Sequence, residues 1–301
     1  MLRAFHLWFG FLETSRLEES MWPCVSPTRC RRRLALRPQT SSRLLTFLLV
    51  SSDAGAHASR TALLSRPTRL KAVLFDIDGT LFHSDAVHLS VFQDVLAEAG
   101  FDGGRRITEE FFKDRISGRQ NAMILADLFP QWTVAEAESF AVRKEERFRE
   151  CVAEQLPSRI MPGLLDFCAD LEAAGVRCAA VTNAPRANAV LMLQALTIGS
   201  LSGLDFFAPL IIGDECARGK PHPDPYEEAM RRLGVSAADC LAFEDSLSGA
   251  TAAVAAGVRT IGITSSQPAE TLIAQAGCAR AVSDFADEGL AREMERWAAV
   301  L

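Results

Sequence analysis

Val73-Leu74-Phe75-Asp76-Ile77-Asp78-Gly79-Thr80-Leu81 is the stretch on which the reading of this chain turns. It opens on a short apolar run, as a strand buried on both faces would. Two carboxylates follow, two residues apart, and then Gly79, which lets the chain turn away at once. If the strand runs into Asp76, the pair sits at the carboxyl edge of a sheet, where open α/β sheets bind ligands. Two acids crowded at a strand end repel each other, and an oxygen-seeking cation such as Mg²⁺ relieves that repulsion. Taken alone, the stretch reads equally as a strand-to-turn junction with solvated acids.

Downstream, the pattern turns helical. Ala86–Ala99 carries Val87, Val91, Val95 and Leu96 near 3.6-residue spacing. Thr108–Arg115, Asn121–Phe129 and the charged Val134–Gln155 continue the helical texture, and nothing in 86–156 reads as a strand. Pro157 and Met161-Pro162-Gly163 close this block. From Leu164, helices and strands alternate. Strands are expected at Val176–Thr182, Pro209–Gly213, Cys240–Phe243, Arg259–Ile263 and Arg280–Val282. Helices are expected at Leu164–Ala174, Arg186–Leu196, Pro225–Leu233, Ser246–Ala256, Pro268–Ala276 and Asp287–Leu301. Such alternation with short loops implies an α/β fold: a Rossmann-like parallel sheet core with helices on both faces, plus an inserted all-helical cap domain. The core is expected over 71–85 and 159–301, and the cap over 86–158.

The chain has 301 residues and a formal net charge of −6, unevenly spread. Residues 1–70 carry 11 Arg, no Lys and 4 acids, a formal +7. That leaves 21 basic and 34 acidic residues in 71–301, a formal −13. So acidic a body disfavours nucleic acid and anionic membranes as partners. No apolar run approaches the roughly 18 residues of a membrane span. The Arg- and Ser-rich, acid-poor start, best from Met21 onward, reads as a plastid or mitochondrial transit peptide. A disordered tail on a cytoplasmic protein is the alternative. The eight cysteines form no CxxC and no zinc-like cluster with histidine, so buried thiols are expected.

Three further stretches carry chemistry. Ala179-Ala180-Val181-Thr182-Asn183-Ala184 places a hydroxyl and an amide at a strand end beside a helix start, a setting that suits a phosphoryl oxygen or a plain helix cap. Arg218-Gly219-Lys220-Pro221-His222-Pro223-Asp224-Pro225-Tyr226 sets three prolines around one lysine, predicting an extended, rigid backbone that aims Lys220, or else a surface loop. Phe243-Glu244-Asp245-Ser246 again ends an apolar run in acids before a helix, where acids also serve as caps.

In a parallel sheet the four polar strand ends share one edge. The set DxDGT, Thr182, GKPHPDPY and ED, in this order, resembles the haloacid dehalogenase superfamily, whose members are mostly phosphatases. The helical insert after the first motif looks like the superfamily's type-one cap. The phrases TNAPRANA and FEDSLSGA are similar to the β-phosphoglucomutase-like group, especially its plant-type sugar-phosphate phosphatases. The resemblance covers about 71–301. It implies that Asp76 attacks phosphorus to form an aspartyl-phosphate and that Asp78 is the acid and base. Thr182, with Asn183 beside it, would bind phosphoryl oxygens, and Lys220 would neutralise charge. Mg²⁺ would be held by Asp76, the backbone carbonyl of Asp78, Asp245 and Glu244. In the cap, His88, Arg119 and Lys144 match substrate-contacting positions of the β-phosphoglucomutase pattern; each reads otherwise as a helix-face or solvated residue.

The resemblance therefore implies an Mg²⁺-dependent phosphatase of small sugar or polyol phosphates, working as a monomer. The alternatives are a β-phosphoglucomutase-type phosphotransferase, which shares the core residues, and an inactive binding module. Asp78 argues against a dehalogenase, which lacks it. Thr197–Gly203 departs from the pattern by being longer than the usual connection.

Overall fold

The computed structural model describes residues 70–298. The leader expected over 1–70 lies outside the described residues, save Leu70. Six strands form one parallel sheet: β1 Ala72–Phe75, β2 Arg177–Thr182, β5 Leu210–Ile212, β6 Cys240–Glu244, β7 Arg259–Ile263 and β8 Arg280–Val282, in the order β5-β2-β1-β6-β7-β8. The chain leaves β1 towards β2 on one side and later returns to β6 on the other. The strand order thus reverses at β1, the place where a crevice opens at the carboxyl edge.

The strands are apolar because both sheet faces are covered. Val73 and Phe75 pack on one face with Phe167, Phe207, Phe243 and Phe285; the Phe75 and Phe243 rings stack at 5.4 Å. Ala72 and Leu74 join Tyr226, Ala229 and Met230 on the other. The covering helices after the cap are α5 Leu164–Ala173, α6 Arg186–Gln194, α7 Gly203–Phe206, α8 Asp224–Leu233, α9 Leu247–Ala255, α10 Ala269–Ala274 and α11 Glu288–Ala298.

Between β1 and α5 the chain is helical: α1 Asp85–Glu98, α2 Glu109–Arg115, α3 Asn121–Leu128 and α4 Val134–Val152. Thr108 and Thr133 begin α2 and α4 by accepting from main-chain N–H groups, and Glu136 returns a bond to Thr133 N at 2.8 Å to complete a capping box. Val87, Val91 and Val95 of α1 are buried, as their spacing predicts. An antiparallel bridge between Phe82 and Ile160 ties the two connecting segments together, and we propose 86–158 as the limits of the cap.

One local expectation fails, and one departure from the pattern takes a definite form. Helix α4 stops at Val152, short of Gln155. The long Thr197–Gly203 connection is a small antiparallel hairpin, β3 Thr197–Ile198 and β4 Leu201–Ser202, turning at Gly199 with φ 56°. Two-residue strands are too short to show a period. Of the six described cysteines, Cys168, Cys178, Cys240 and Cys278 are buried thiols. Among the described residues no helix is long and apolar enough to cross a membrane.

Candidate active site

Phe75 lies opposite Ala180 in β2 and Phe243 in β6. The ladder runs one residue further, with Asp76 N–H donating to Phe243 O at 3.1 Å. That register delivers Asp76 beside Glu244 and Asp245, and the three buried carboxylates offer oxygens within 4.8 Å of one another. Lys220 arrives from the loop after β5. Its ammonium donates to Asp76 Oδ1 at 2.7 Å, Val181 O at 2.7 Å and Glu244 Oε1 at 2.5 Å. Tyr226 Oη donates to the same Glu244 oxygen at 2.5 Å. The backbone around Lys220 is not the extended segment that its prolines predict. It is a turn, with His222 N–H donating to Gly219 O at 3.0 Å, and its flanking contacts rather than stiffness aim the side chain.

Burial pushes the Asp76 carboxyl well above the usual range, opposed by Lys220 and reinforced by Glu244. Asp245 moves up too, through burial and the neighbouring charges of Asp85, Asp76 and Glu244. Burial would lower the Lys220 ammonium, but Asp76 and Glu244 outweigh it and hold it above its ordinary value. Three carboxylates against one ammonium leave a formal −2. A hard divalent cation fits both that charge and the all-oxygen donor set. Gly79, at φ 75°, gives the cluster room: a Cβ there would fall 1.9 Å from Asp245 Oδ2.

Asp78 belongs to a second network. Its Oδ1 accepts from Ser84 Oγ at 2.7 Å and lies 3.0 Å from His88 Nε2. His88 stacks on Phe148 at 3.8 Å, and Lys144 Nζ lies 3.2 Å from its Nδ1. Lys144 is only 3 % exposed, sits over the Phe92 ring and donates to Glu145 at 2.9 Å. Burial alone would raise the Asp78 carboxyl, but His88, Ser84 and Lys144 together hold it below the ordinary range.

The cavity above these groups is lined from the core by Asp76, Asp78, Thr182, Asn183, Lys220 and Asp245. The cap contributes His88, Phe92, Phe112, Ile116, Arg119, Ile124 and Lys144. Every residue singled out from the sequence lies on this cavity except Glu244, which is fully buried beneath it. Arg119 is at the rim, its guanidinium donating to Asp127 at 2.6 Å and Arg115 O at 2.8 Å. Thr182 Oγ1 accepts from Ala184 N–H at 3.0 Å. The sequence reading missed Ser84, Asp85, Glu145, Asn188, Tyr226, Ser265 and Ser266. Ser265 donates to Gly79 O at 2.6 Å, and Ser266 bonds both Asp85 and Asp245. Tyr226 stands in the lysine motif and Ser84 and Asp85 close behind the aspartate motif. Ser265 and Ser266 follow β7 with no local signal.

Residues 70–257 match the family of haloacid dehalogenase-like hydrolases. The chain belongs to that family. Among its relatives, protein CbbY of Rhodobacter capsulatus is 34 % identical over 207 residues, covering 64 % of this chain and 84 % of the relative. N-acetylmuramic acid 6-phosphate phosphatase of Pseudomonas putida is 31 % identical over 199 residues, covering 65 % of this chain and 83 % of that enzyme. A similar solved structure is a CbbY variant from Rhodobacter sphaeroides in complex with xylulose-(1,5)bisphosphate. It has a TM-score of 0.60 and 26 % identity, and covers 73 % of this chain and 96 % of that one. The haloacid dehalogenase-like match spans the chain from β1 to the end of α9, and so takes in four of the six strands of the parallel sheet in full.

Proposed function

We propose that this haloacid dehalogenase-like hydrolase is an Mg²⁺-dependent phosphatase of small sugar or polyol phosphates, acting through an aspartyl-phosphate on Asp76. The observation that carries the reading is the separation of two carboxylates two residues apart. Asp76 is gripped by Lys220 within the buried acidic cluster, whereas Asp78 is held apart by Ser84 and His88. This separation supports Asp76 as the attacking group and Asp78 as the group that moves protons. Phosphoric monoester hydrolysis draws further support from the phosphatase relative, and a sugar substrate from the sugar bisphosphate in the CbbY structure.

In the first step an Asp76 carboxylate oxygen bonds phosphorus, the ester P–O bond breaks, and the leaving oxygen takes the proton of Asp78. In the second, Asp78 removes a proton from water, whose oxygen bonds phosphorus as the bond to Asp76 breaks. Phosphate leaves and both side chains return to their starting states. His88, Ser84 and Lys144 hold the Asp78 carboxyl low, and a phosphoryl dianion beside it pushes the other way, favouring the protonated form needed first. Lys220 offsets the repulsion between Asp76 and that dianion. Thr182, which lines the cavity beside Asp76 and Lys220, would bind a transferring oxygen. Asp76, Asp245, Glu244 and the Asp78 carbonyl would hold Mg²⁺, which when bound supplies further charge for the phosphoryl oxygens. The cap's Lys144 and Arg119 supply cations, and Phe92, Phe112, Ile116 and Ile124 an apolar wall, around the leaving group.

The test is phosphate release by the full chain from a panel of sugar and polyol phosphates, with and without Mg²⁺. Mg²⁺-dependent release from several of them is expected. Conversion of β-glucose 1-phosphate to glucose 6-phosphate with little free phosphate would move the assignment to a mutase. No product from any ester would sink both.

A further inference from the structure

The Asn183 carboxamide is committed to main chain. Its Oδ1 accepts from Lys220 N–H at 3.1 Å, which fixes the amide's orientation. Its Nδ2 then donates to Lys220 O at 3.1 Å and to Gly118 O at 3.1 Å. Both amide protons are therefore used. Two of the three partners belong to the residue whose ammonium grips Asp76. The third belongs to the cap loop between α2 and α3.

The surroundings are built around this arrangement. A Cβ at Gly213 would fall 2.2 Å from Asn183 Oδ1, so bare backbone makes room for the amide. On the loop side, a Cβ at Gly118 would fall 2.5 Å from Ser246 Cβ. A Cβ at Gly219 would fall 2.5 Å from the Gln120 carboxamide, which in turn donates to Asp214. The cap loop 117–120 is thus seated closely on three core loops, with Asn183 at their meeting point.

We propose that Asn183 is a positioning residue that couples the seating of this cap loop to the placement of Lys220, and that its side chain is not a phosphoryl ligand. The proposal rests on the phosphatase reading for the role of Lys220. Two bonds to Lys220 set the plane of the amide, and the remaining N–H then points at Gly118 O. Lifting the loop strips that donor of its partner, and seating the loop locks the amide and with it the lysine turn. A misplacement of about 1 Å in such a site costs on the order of 10²-fold in rate.

The experiment compares full-length wild type, Asn183→Ala, Gly213→Ala and the double variant. Hydrogen–deuterium exchange is read over 112–120 and 213–222, beside kcat, KM and inhibition by inorganic phosphate. In Asn183→Ala, exchange is expected to rise in both segments together. The kcat is expected to fall by about tenfold or more, while the phosphate inhibition constant stays within about threefold. Gly213→Ala is expected to reproduce these changes, and to add less than about twofold in the Asn183→Ala background, where the obstructing oxygen is gone. Phosphate inhibition weakened by about tenfold or more with unchanged exchange is what loss of a charged hydrogen bond to the ligand predicts. That result overturns the proposal, as does an unchanged kcat or exchange rising in one segment alone. A wild type that hydrolyses no ester defeats the phosphatase reading, while the exchange data still decide the coupling of loop and lysine turn.

Discussion

His88 Nε2 lies 3.0 Å from Asp78 Oδ1 while Lys144 Nζ lies 3.2 Å from the opposite ring nitrogen. An ammonium only donates, so His88 Nδ1 accepts and the ring proton sits on Nε2, aimed at Asp78. The cap thereby sets the charge state of a core carboxylate. Replacing His88 with Ala removes the Nε2–H hydrogen bond that helps to hold the Asp78 carboxyl low, so that carboxyl rises. We expect kcat to fall by roughly 10- to 100-fold, the lower range of what a supported acid–base group contributes. The sign follows from the second step, in which Asp78 must be deprotonated. Where that step limits turnover, the acid limb of kcat moves to higher pH. A pH profile with an unmoved acid limb would remove His88 from this role.

Asp76 and Lys220 should part company when each is replaced. Asp76→Asn abolishes the attacking oxygen's charge while relieving a carboxyl that burial already pushes up. Phosphate release should drop by about 10³-fold or more, with the melting temperature unchanged or raised. Lys220→Met leaves Asp76, Glu244 and Asp245 without their ammonium, and losing one partner of a buried ion network costs about 3–5 kcal/mol. Thermal unfolding of the two variants side by side checks the contrast. A Lys220→Met protein as stable as wild type would mean that the ammonium is not neutralising the cluster.

The acidic cluster also predicts how stability depends on pH in metal-free protein. Asp76 and Asp245 both titrate above their ordinary carboxylate value in the folded state. The folded chain therefore binds more protons than the unfolded one between the ordinary value and the raised ones. Their contribution is full below that window and is lost as pH rises through it. Chelated protein should lose melting temperature on that rise, and Mg²⁺ should restore it most at the upper end. Asp245→Asn should blunt both effects. Melting curves across pH, with chelator or with Mg²⁺, read the result directly, and an equal Mg²⁺ response at every pH would contradict it.

Much of the core site was legible because several of its groups sit where an apolar run gives way to polar residues, and such junctions mark strand ends in a parallel sheet. Asp76, Thr182 and Glu244 were found that way. Lys220 was found through its motif, although the prolines suggested extended chain where the structure makes a turn. What stayed hidden depends on tertiary approach. Ser266 reaches Asp245 from the loop after β7, which has no period, and Asn188 reaches the cap from α6, where the helical pattern marks a buried face but not its partner in the cap. The hairpin at Thr197–Ser202 was hidden for a different reason, since two residues per strand are too few to alternate.

The contact between Asn188 and Glu145 joins core to cap and is open to direct measurement. Asn188 on α6 is fully buried and donates to Glu145 Oε2 at 2.6 Å. Glu145 on α4 also accepts from Asn121 at 2.7 Å and from Lys144 at 2.9 Å. Arg149 Nη1 closes the far side by donating to Asn188 Oδ1 at 2.8 Å. Burial would raise the Glu145 carboxyl, but Lys144, His88 and Asn121 hold it low, so it is a charged acceptor. A hydrogen bond to a charged group is worth about 1.5–3 kcal/mol. Asn188→Ala removes this one without touching the carboxylate cluster at Asp76. The melting temperature should fall by roughly 3–12 °C, given about 2–4 °C per kcal/mol for a domain of this size. Because Glu145 also holds Lys144 at the cavity wall, KM should rise while phosphate release survives. An Asn188→Ala protein with an unchanged melting temperature would show that the cap is held by its other contacts and that this one carries no net energy.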